Sequence, residues 1–113
     1  MTERLPAHFE AALLIRRVQS EGGFAAVLRR GDADRGAITL IILQKGELRG
    51  FLERELGADF TYNWSFKGID PSAEVDSVAS MVARKERFDP DSWLIELDIA
   101  EPERFIAETT RLG

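Results

Sequence analysis

The sequence contains no cysteine and a single histidine, His8, among its 113 residues. Without cysteine the chain forms no disulfide bond and offers no thiolate to a metal or a substrate. One histidine excludes a multi-histidine metal site within one chain, and a lone histidine before a helix is more often a cap or a packed side chain. We therefore expect no metal ion and no other cofactor.

Long apolar runs are also missing. The first residues lack the charged and then apolar pattern of a secretory signal, and the apolar run 11–15 is far too short for a signal core or a membrane span. We therefore expect a soluble, cytoplasmic protein without a membrane partner. The length and the 44% hydrophobic content predict one domain, residues 1–113, with its own core.

The motifs of nucleotide binding and nucleophilic catalysis do not occur. The segment 31–36 contains two glycines but matches neither a P-loop nor a dinucleotide-binding motif, and it is typical of a β-turn. No Gly-x-Ser-x-Gly elbow is present. Acidic pairs occur at residues 32 and 34, 53 and 55, 89 and 91, and 96 and 98. These pairs are typical of turns and solvated strand faces, so we expect a protein that is not an enzyme.

The charge is acidic and unevenly distributed. A net charge of −5 and a pI near 4.9 argue against a nucleic-acid partner, because phosphate binding requires clustered lysine and arginine. Residues 1–45 carry seven basic and five acidic side chains, a net charge of +2, whereas the rest carries eight and fifteen, a net charge of −7. This difference either orients a partner or only keeps the surface soluble.

Hydrophobic periodicity predicts an α+β fold. Helices are predicted at 7–21, from Asp70-Pro71 and from Pro102, and strands at 24–29, 37–43, 47–56, 60–66 and from Trp93 to Ile99. Residues 47–56 also fit a helix, but their alternating pattern favours a strand. The order α-β-β-β-β-α-β-α predicts a mainly antiparallel sheet of four to five strands, linked by hairpins, with the helices packed on one face.

The same periodicity predicts the core. The nearly apolar run 38–43 is typical of a central strand that is covered on both faces. Further core positions are predicted on one face of each element: Phe60, Tyr62, Trp64 and Phe66; Val75, Val78, Ala79 and Val82; Trp93, Ile95, Leu97 and Ile99; Phe105 and Ile106. If the four aromatic side chains at 60–66 were exposed instead of buried, they would form a platform for a ligand. The last residues, 109–113, are expected to fray.

Two segments resemble a known family. FAAVLRRGDADRGA at 24–37 and RFDPDSWLIELDI at 87–99, followed by PERFI at 102–106, are similar to short alphaproteobacterial proteins that form a domain of unknown function. One departure is Ser92, where the family often has leucine, and it removes apolar burial at the start of the strand. The resemblance implies a bacterial cytoplasmic protein, and it implies no activity, substrate or cofactor.

The arginines provide the one candidate binding site. Arg16 and Arg17 end the first helix, Arg29 and Arg30 end the first strand, and Arg35 lies in the next turn. The guanidinium fork binds carboxylate or phosphate groups with two parallel hydrogen bonds. Alternatively, these arginines pair with the nearby Asp32, Asp34 and Glu21. Because one strand length, roughly 20 Å, separates the two ends of the strand, two separate arginine groups are favoured over one pocket.

Two functions from different classes remain. The first is a small non-catalytic protein-interaction or regulatory module, whose partner is another protein or a second copy of the chain. The second is a binder, or less readily a hydrolase, of a small anion at the Arg29-Arg30 turn. We favour the first, because no group of side chains in the sequence has the composition of a catalytic site.

Overall fold

The computed structural model describes residues 5–69 and 78–111. Its helices are α1 (Ala7–Ser20), α2 (Val78–Phe88) and α3 (Pro102–Arg111), and its strands are β1 (Phe24–Arg29), β2 (Ile38–Gln44), β3 (Glu47–Leu56), β4 (Tyr62–Gly68) and β5 (Trp93–Asp98). The α+β class and the order of the elements are confirmed. No helix in the described ranges is long and apolar enough to cross a membrane.

The five strands form one sheet in the order β1-β5-β2-β3-β4. Three strand pairs are antiparallel, whereas β2 and β5 are parallel. The prediction that β1 and β2 form a hairpin is wrong, because β5 inserts between them. The segment 31–36 is consequently a connection across the end of β5. The run 38–43 is buried at every position, which confirms that β2 is a central strand.

The helices cover both faces of the sheet. Leu40 and Ile42 face a core that α1 and α3 cover, with Ala11 and Phe105 as contacts. Ile41 points to the opposite face, where α2 contributes to a smaller cluster. The expectation that the helices share one face is therefore wrong for α2.

Residues 47–56 are a strand, as the alternating pattern predicts. The reversal before this strand places Lys45 at φ 51° and Gly46 at φ 79°, the left-handed geometry of a tight hairpin turn. The carboxylate of Asp98 accepts hydrogen bonds from both backbone amides, at 2.9 and 2.8 Å. These contacts fix the turn against β5.

The four aromatics before and within β4 do not share one buried face. Trp64 is buried and Phe66 is half-buried, but Phe60 is 84% exposed and Tyr62 is exposed. Phe60 lies outside the strand, at φ 63°, and this left-handed backbone breaks the alternation that the sequence suggests. The core prediction is therefore correct for the second half of the segment only.

The fifth strand is more buried than its alternation predicts. Trp93, Ile95 and Leu97 are buried as predicted, and Leu94 on the other face is also fully buried. The strand lies between β1 and β2, so both of its faces are covered. The predicted core positions of α3 are confirmed, but the predicted fraying is wrong at Thr109, which is buried and helical.

The predicted stripe of α2 is partly wrong. The start at Asp70-Pro71 and the position Val75 lie outside the described residues. Within Val78–Phe88, Ala79 is exposed and the buried residue is Met81. The sheet-facing side of this helix also carries Lys85, whose charge is balanced by Glu53 of β3 at 3.1 Å. A charge that is paired across two elements cannot be recognised from helical periodicity alone.

Candidate functional site

Two turns lie against each other at one end of the sheet, and we call residues 31–36 and 89–92 together the double turn. The backbone amide of Asp32 donates a hydrogen bond of 2.9 Å to the carbonyl oxygen of Asp91. A Cβ atom at Gly31 would lie 2.1 Å from that oxygen, and one at Gly36 would lie 2.4 Å from it. The two glycines therefore permit an approach that no side chain allows.

Trp93 and Ser92 lock the double turn. The indole Nε1 of Trp93 donates to the carbonyl oxygen of Asp32 at 2.8 Å, and the backbone amide of Trp93 donates to the carbonyl oxygen of Ala37 at 2.7 Å. Ser92 is buried, and its hydroxyl donates to the carbonyl oxygen of Asp89 at 2.8 Å. Ser92 therefore replaces the expected apolar burial with a hydrogen bond that closes the second turn.

The first helix begins on the double turn. The backbone amides of Ala7 and His8 donate to the carbonyl oxygens of Asp34 and Ala33, at 3.1 and 2.8 Å. The Nδ1 atom of His8 also donates to Ala33, at 2.9 Å. Pro6 precedes the helix and provides no side-chain cap. The carbonyl oxygens of the double turn therefore accept the hydrogen bonds of the first backbone amides of the helix. In the described part of the chain, no group of three His, Asp or Glu side chains is arranged to hold a metal ion.

The carboxylate of Asp32 binds backbone amides of the turn and forms no ion pair with an arginine side chain among the described residues. Its Oδ1 atom accepts hydrogen bonds from the backbone amides of Arg35 and Asp34, at 2.8 and 2.9 Å. These two bonds hold the pKa of Asp32 below its usual value of 3.8, and the bond from Arg35 has the larger effect. The Asp32 carboxylate, which lies between Arg30 and Arg35 in sequence, is therefore committed to the backbone.

Arg29, Arg30 and Arg35 lie at the end of β1 and in the double turn, and we call them the arginine corner. Arg29 donates through Nη2 to the carbonyl oxygen of Pro90 at 2.5 Å, while its buried Nη1 has no hydrogen-bond partner among the described residues. Arg30 stacks over Trp93, 4.9 Å from the ring centre, and Arg35 is exposed. No guanidinium of the corner forms an ion pair within the described ranges.

The structure does not bring Arg16 and Arg17 to this corner. Because α1 starts on the double turn, Arg17 lies ten residues along the helix, roughly 15 Å away. Arg17 bonds to Glu108 of α3 at 2.9 Å and stacks over Phe105 at 4.4 Å, whereas Arg16 is exposed. The arginines thus form two separate groups, as the strand length suggests.

The outer edge of β1 is the feature that the sequence did not reveal. This strand pairs with β5 on one side and has no strand partner on the other among the described residues. Phe24 is 78% exposed, and Ala26, Val27 and Leu28 are exposed as well. A register shift between Val27 and Arg29 marks a bulge, so Phe24–Val27 is the regular part of the edge. The sequence signal for this edge was the uncharged, apolar segment 24–28 on a predicted strand, but the sequence alone does not show that these side chains are exposed.

The comparisons with known proteins identify the family. A family model described as "Protein of unknown function (DUF1491)" matches residues 5–107. The chain belongs to this DUF1491 family. The two segments that carry the sequence resemblance, 24–37 and 87–99, meet in the double turn. A search of the curated proteins found no significant match.

Solved structures of bacterial proteins share the fold of this DUF1491 chain. The crystal structure of a DUF1491 family protein from Caulobacter crescentus is 28% identical, covers 86% of this chain and 90% of its own, and gives a TM-score of 0.72. The solution structure of a protein from A. tumefaciens is 26% identical, covers 85% and 86%, and gives a TM-score of 0.66. These similarities fit the alphaproteobacterial resemblance of the sequence and assign no function.

Proposed function

We propose that this protein is a non-catalytic, single-domain cytoplasmic module that binds another protein. It accepts an extended segment of that partner alongside β1, and the arginine corner holds a carboxylate of the same segment. Strand addition of this kind obtains affinity from backbone hydrogen bonds and specificity from alternate side chains.

The observation that carries this proposal is the contrast between the two edges of the sheet. The β4 edge carries Lys67, which is paired with Glu55 of β3 at 2.6 Å, and lysine on an edge opposes the addition of a further strand. The β1 edge has no charged residue from Phe24 to Leu28 and exposes apolar side chains. An exposed apolar edge of this kind is a template for pairing with another chain.

The arginine corner determines which segment fits. It lies where β1 ends, so a segment that pairs with β1 carries one of its ends past these guanidinium groups. Since the corner lacks a carboxylate partner in the described residues, an acidic side chain on the segment supplies one. A second copy of β1, FAAVLR, has no acidic residue. The partner is therefore an apolar segment of another protein with an Asp or Glu at the corner end.

Binding of a small free anion at the corner is the second candidate, and one observation favours it. The Nη1 atom of Arg29 is buried without a hydrogen-bond partner among the described residues, and a buried unsatisfied donor costs stability. A free carboxylate or phosphate group would satisfy this donor without any strand on β1. The two candidates differ in their dependence on the edge.

Selection of random peptides displayed on phage tests the proposal. We expect the selected peptides to alternate apolar residues and to carry Asp or Glu at one end. Phe24→Lys and Arg30→Ala should each weaken binding, Arg30→Ala by about fivefold to tenfold, the loss of one charge-assisted contact. Phe60→Lys is the matched control, because Phe60 is similarly exposed near the opposite edge.

The outcomes separate the two candidates. Peptide binding that Phe24→Lys leaves unchanged contradicts strand addition. If inorganic phosphate or acetate binds the parent and Phe24→Lys equally and binds neither Arg29→Ala nor Arg30→Ala, the corner is a small-anion site. If the selected peptides lack acidic residues, the assigned role of the corner is wrong.

A further inference from the structure

A cavity of about 400 Å³ lies between α2 and the β3–β4 pair, on the opposite face of the sheet from α1 and α3. Its lining combines apolar and cationic side chains, among them Phe51, Met81, Phe88, Lys67, Arg84 and Lys85. Neither the β1 edge nor the arginine corner contributes to it. Its volume lies within the range of roughly 300 to 1,000 Å³ that small-molecule sites occupy.

The apolar part of the cavity is built by two elements. Phe51 of β3 and Met81 of α2 are buried in the same small cluster. Phe88, about one helical turn after Arg84, lines the cavity while 77% exposed. The four α2 residues of the lining have the spacing i, i+3, i+4 and i+7, so they share one side of the helix. A large aromatic ring exposed beside a cavity remains available to an apolar ligand.

The charged part contains one cation that forms no ion pair with the described residues. Lys85 is paired with Glu53 at 3.1 Å, and Lys67 is paired with Glu55 at 2.6 Å. Arg84 is exposed and forms no ion pair within the described residues. Asp89, which belongs to the double turn, also lines the cavity. The cation that is available to an anionic ligand is therefore Arg84 of α2.

We propose that this cavity binds a small amphipathic anion, with an aromatic or alkyl body against Phe51, Met81 and Phe88 and a carboxylate or sulfonate group at Arg84. The apolar surface and the unpaired Arg84 fit the two parts of one molecule. Lysine and arginine stems add further apolar contact while their charged ends stay in water. The site is separate from the β1 edge, so either proposal can fail without the other.

Two fluorescent probes of matched shape test this site. Anilinonaphthalene sulfonate is an amphipathic anion, and N-phenylnaphthylamine is a similar aromatic molecule without the sulfonate. We expect Arg84→Gln to weaken binding of the anionic probe by about fivefold to tenfold, the effect of one charge-assisted contact, and to leave the neutral probe unchanged. Arg111→Gln, which removes an exposed arginine from α3, is the matched control.

Phe88→Ala tests the apolar wall. It should weaken both probes, whereas Phe60→Ala, at a similarly exposed phenylalanine outside the cavity, should weaken neither. Phe24→Lys should also leave both probes unchanged, which separates the cavity from the β1 edge. Thermal unfolding of each variant verifies that the fold is intact. Unchanged binding of the anionic probe to both Arg84→Gln and Phe88→Ala, or its loss in Phe24→Lys, overturns the proposal.

Discussion

The indole nitrogen of Trp93 and the carbonyl oxygen of Asp32, 61 positions apart in the chain, lie 2.8 Å apart and share a hydrogen bond. The bond joins the start of β5 to the connection that follows β1. Because β5 lies between β1 and β2, this connection must pass the end of β5. The double turn is therefore the joint that holds the β1 edge in place.

Trp93 should contribute both packing and a hydrogen bond to stability. It is 2% exposed, and Trp93→Ala should lower the free energy of unfolding by about 3–5 kcal/mol. Trp93→Phe retains much of the ring and loses the bond to Asp32, so it should cost less, on the order of 1–3 kcal/mol. Urea unfolding measures both values. A midpoint of Trp93→Ala equal to that of the parent would show that the indole is not part of the core.

Gly31 should tolerate no side chain. A Cβ atom there would lie 2.1 Å from the carbonyl oxygen of Asp91, which belongs to backbone that cannot move independently. Gly31→Ala should therefore cost on the order of 1–3 kcal/mol or more, in the range of overpacked cores. Gly68→Ala is the control, since its nearest neighbour is a Phe66 carbon at 3.7 Å. Equal unfolding midpoints for the two variants would contradict the close approach of the turns.

Asp32 should make stability depend on pH. Its pKa is lowered by the backbone amides of Arg35 and Asp34, so its charged form is bound more strongly in the folded state. This stabilisation is complete above the ordinary pKa of 3.8 and is lost as the pH falls through the lower folded value. Asp32→Asn should therefore be less stable than the parent at neutral pH, and the difference should shrink below about pH 4.

Unfolding curves at several pH values measure this effect, and NMR titration of the Asp32 carboxyl group measures its pKa directly. Asp34→Asn is the control, because the side chain of Asp34 makes no hydrogen bond within the described part of the chain. A stability difference for Asp32→Asn that persists unchanged at low pH would contradict the role of the charge.

Arg54 should stabilise the face of the sheet that α1 covers. Its guanidinium forms two hydrogen bonds to Glu10 of α1, and it stacks over Trp64 at 4.3 Å. Both side chains of the ion pair are largely buried. Arg54→Ala should cost about 2–4 kcal/mol, and Arg49→Ala, which removes an exposed pair with Glu103, should cost under about 1 kcal/mol. If urea unfolding gave similar losses of unfolding free energy for Arg54→Ala and Arg49→Ala, burial would not explain the strength of the Arg54–Glu10 pair.

Local patterns predicted the elements well. The bounds of β1 and β3 are as the sequence predicts, and the apolar run 38–43 is the centre of the sheet. Each of these predictions depends on residues close in sequence, such as the turn at Lys45-Gly46. Where the pattern failed at Phe60, a left-handed backbone broke the alternation. In α2, the pairing of Lys85 with Glu53 of β3 is a contact that helical periodicity does not show.

The candidate site was only partly predictable. The sequence identified Arg29, Arg30 and Arg35 as one group by their proximity, and the structure places them at one end of β1. It did not show that Asp32 is used by backbone amides, or that β1 is an edge strand. The edge follows from the parallel pairing of β2 with β5, a contact between segments about 50 residues apart that no local pattern encodes.

Amide hydrogen exchange tests the central claim most directly, because it reports which strand acquires new backbone hydrogen bonds. The measurement compares the protein alone with the protein saturated by a phage-selected acidic peptide. We expect amides of Phe24–Leu28 that face away from β5 to exchange more slowly by about tenfold or more, with the amides of β4 unchanged. Phe24→Lys should abolish this protection and Phe60→Lys should retain it. Unchanged exchange throughout β1, or protection that appears on β4, would contradict the account.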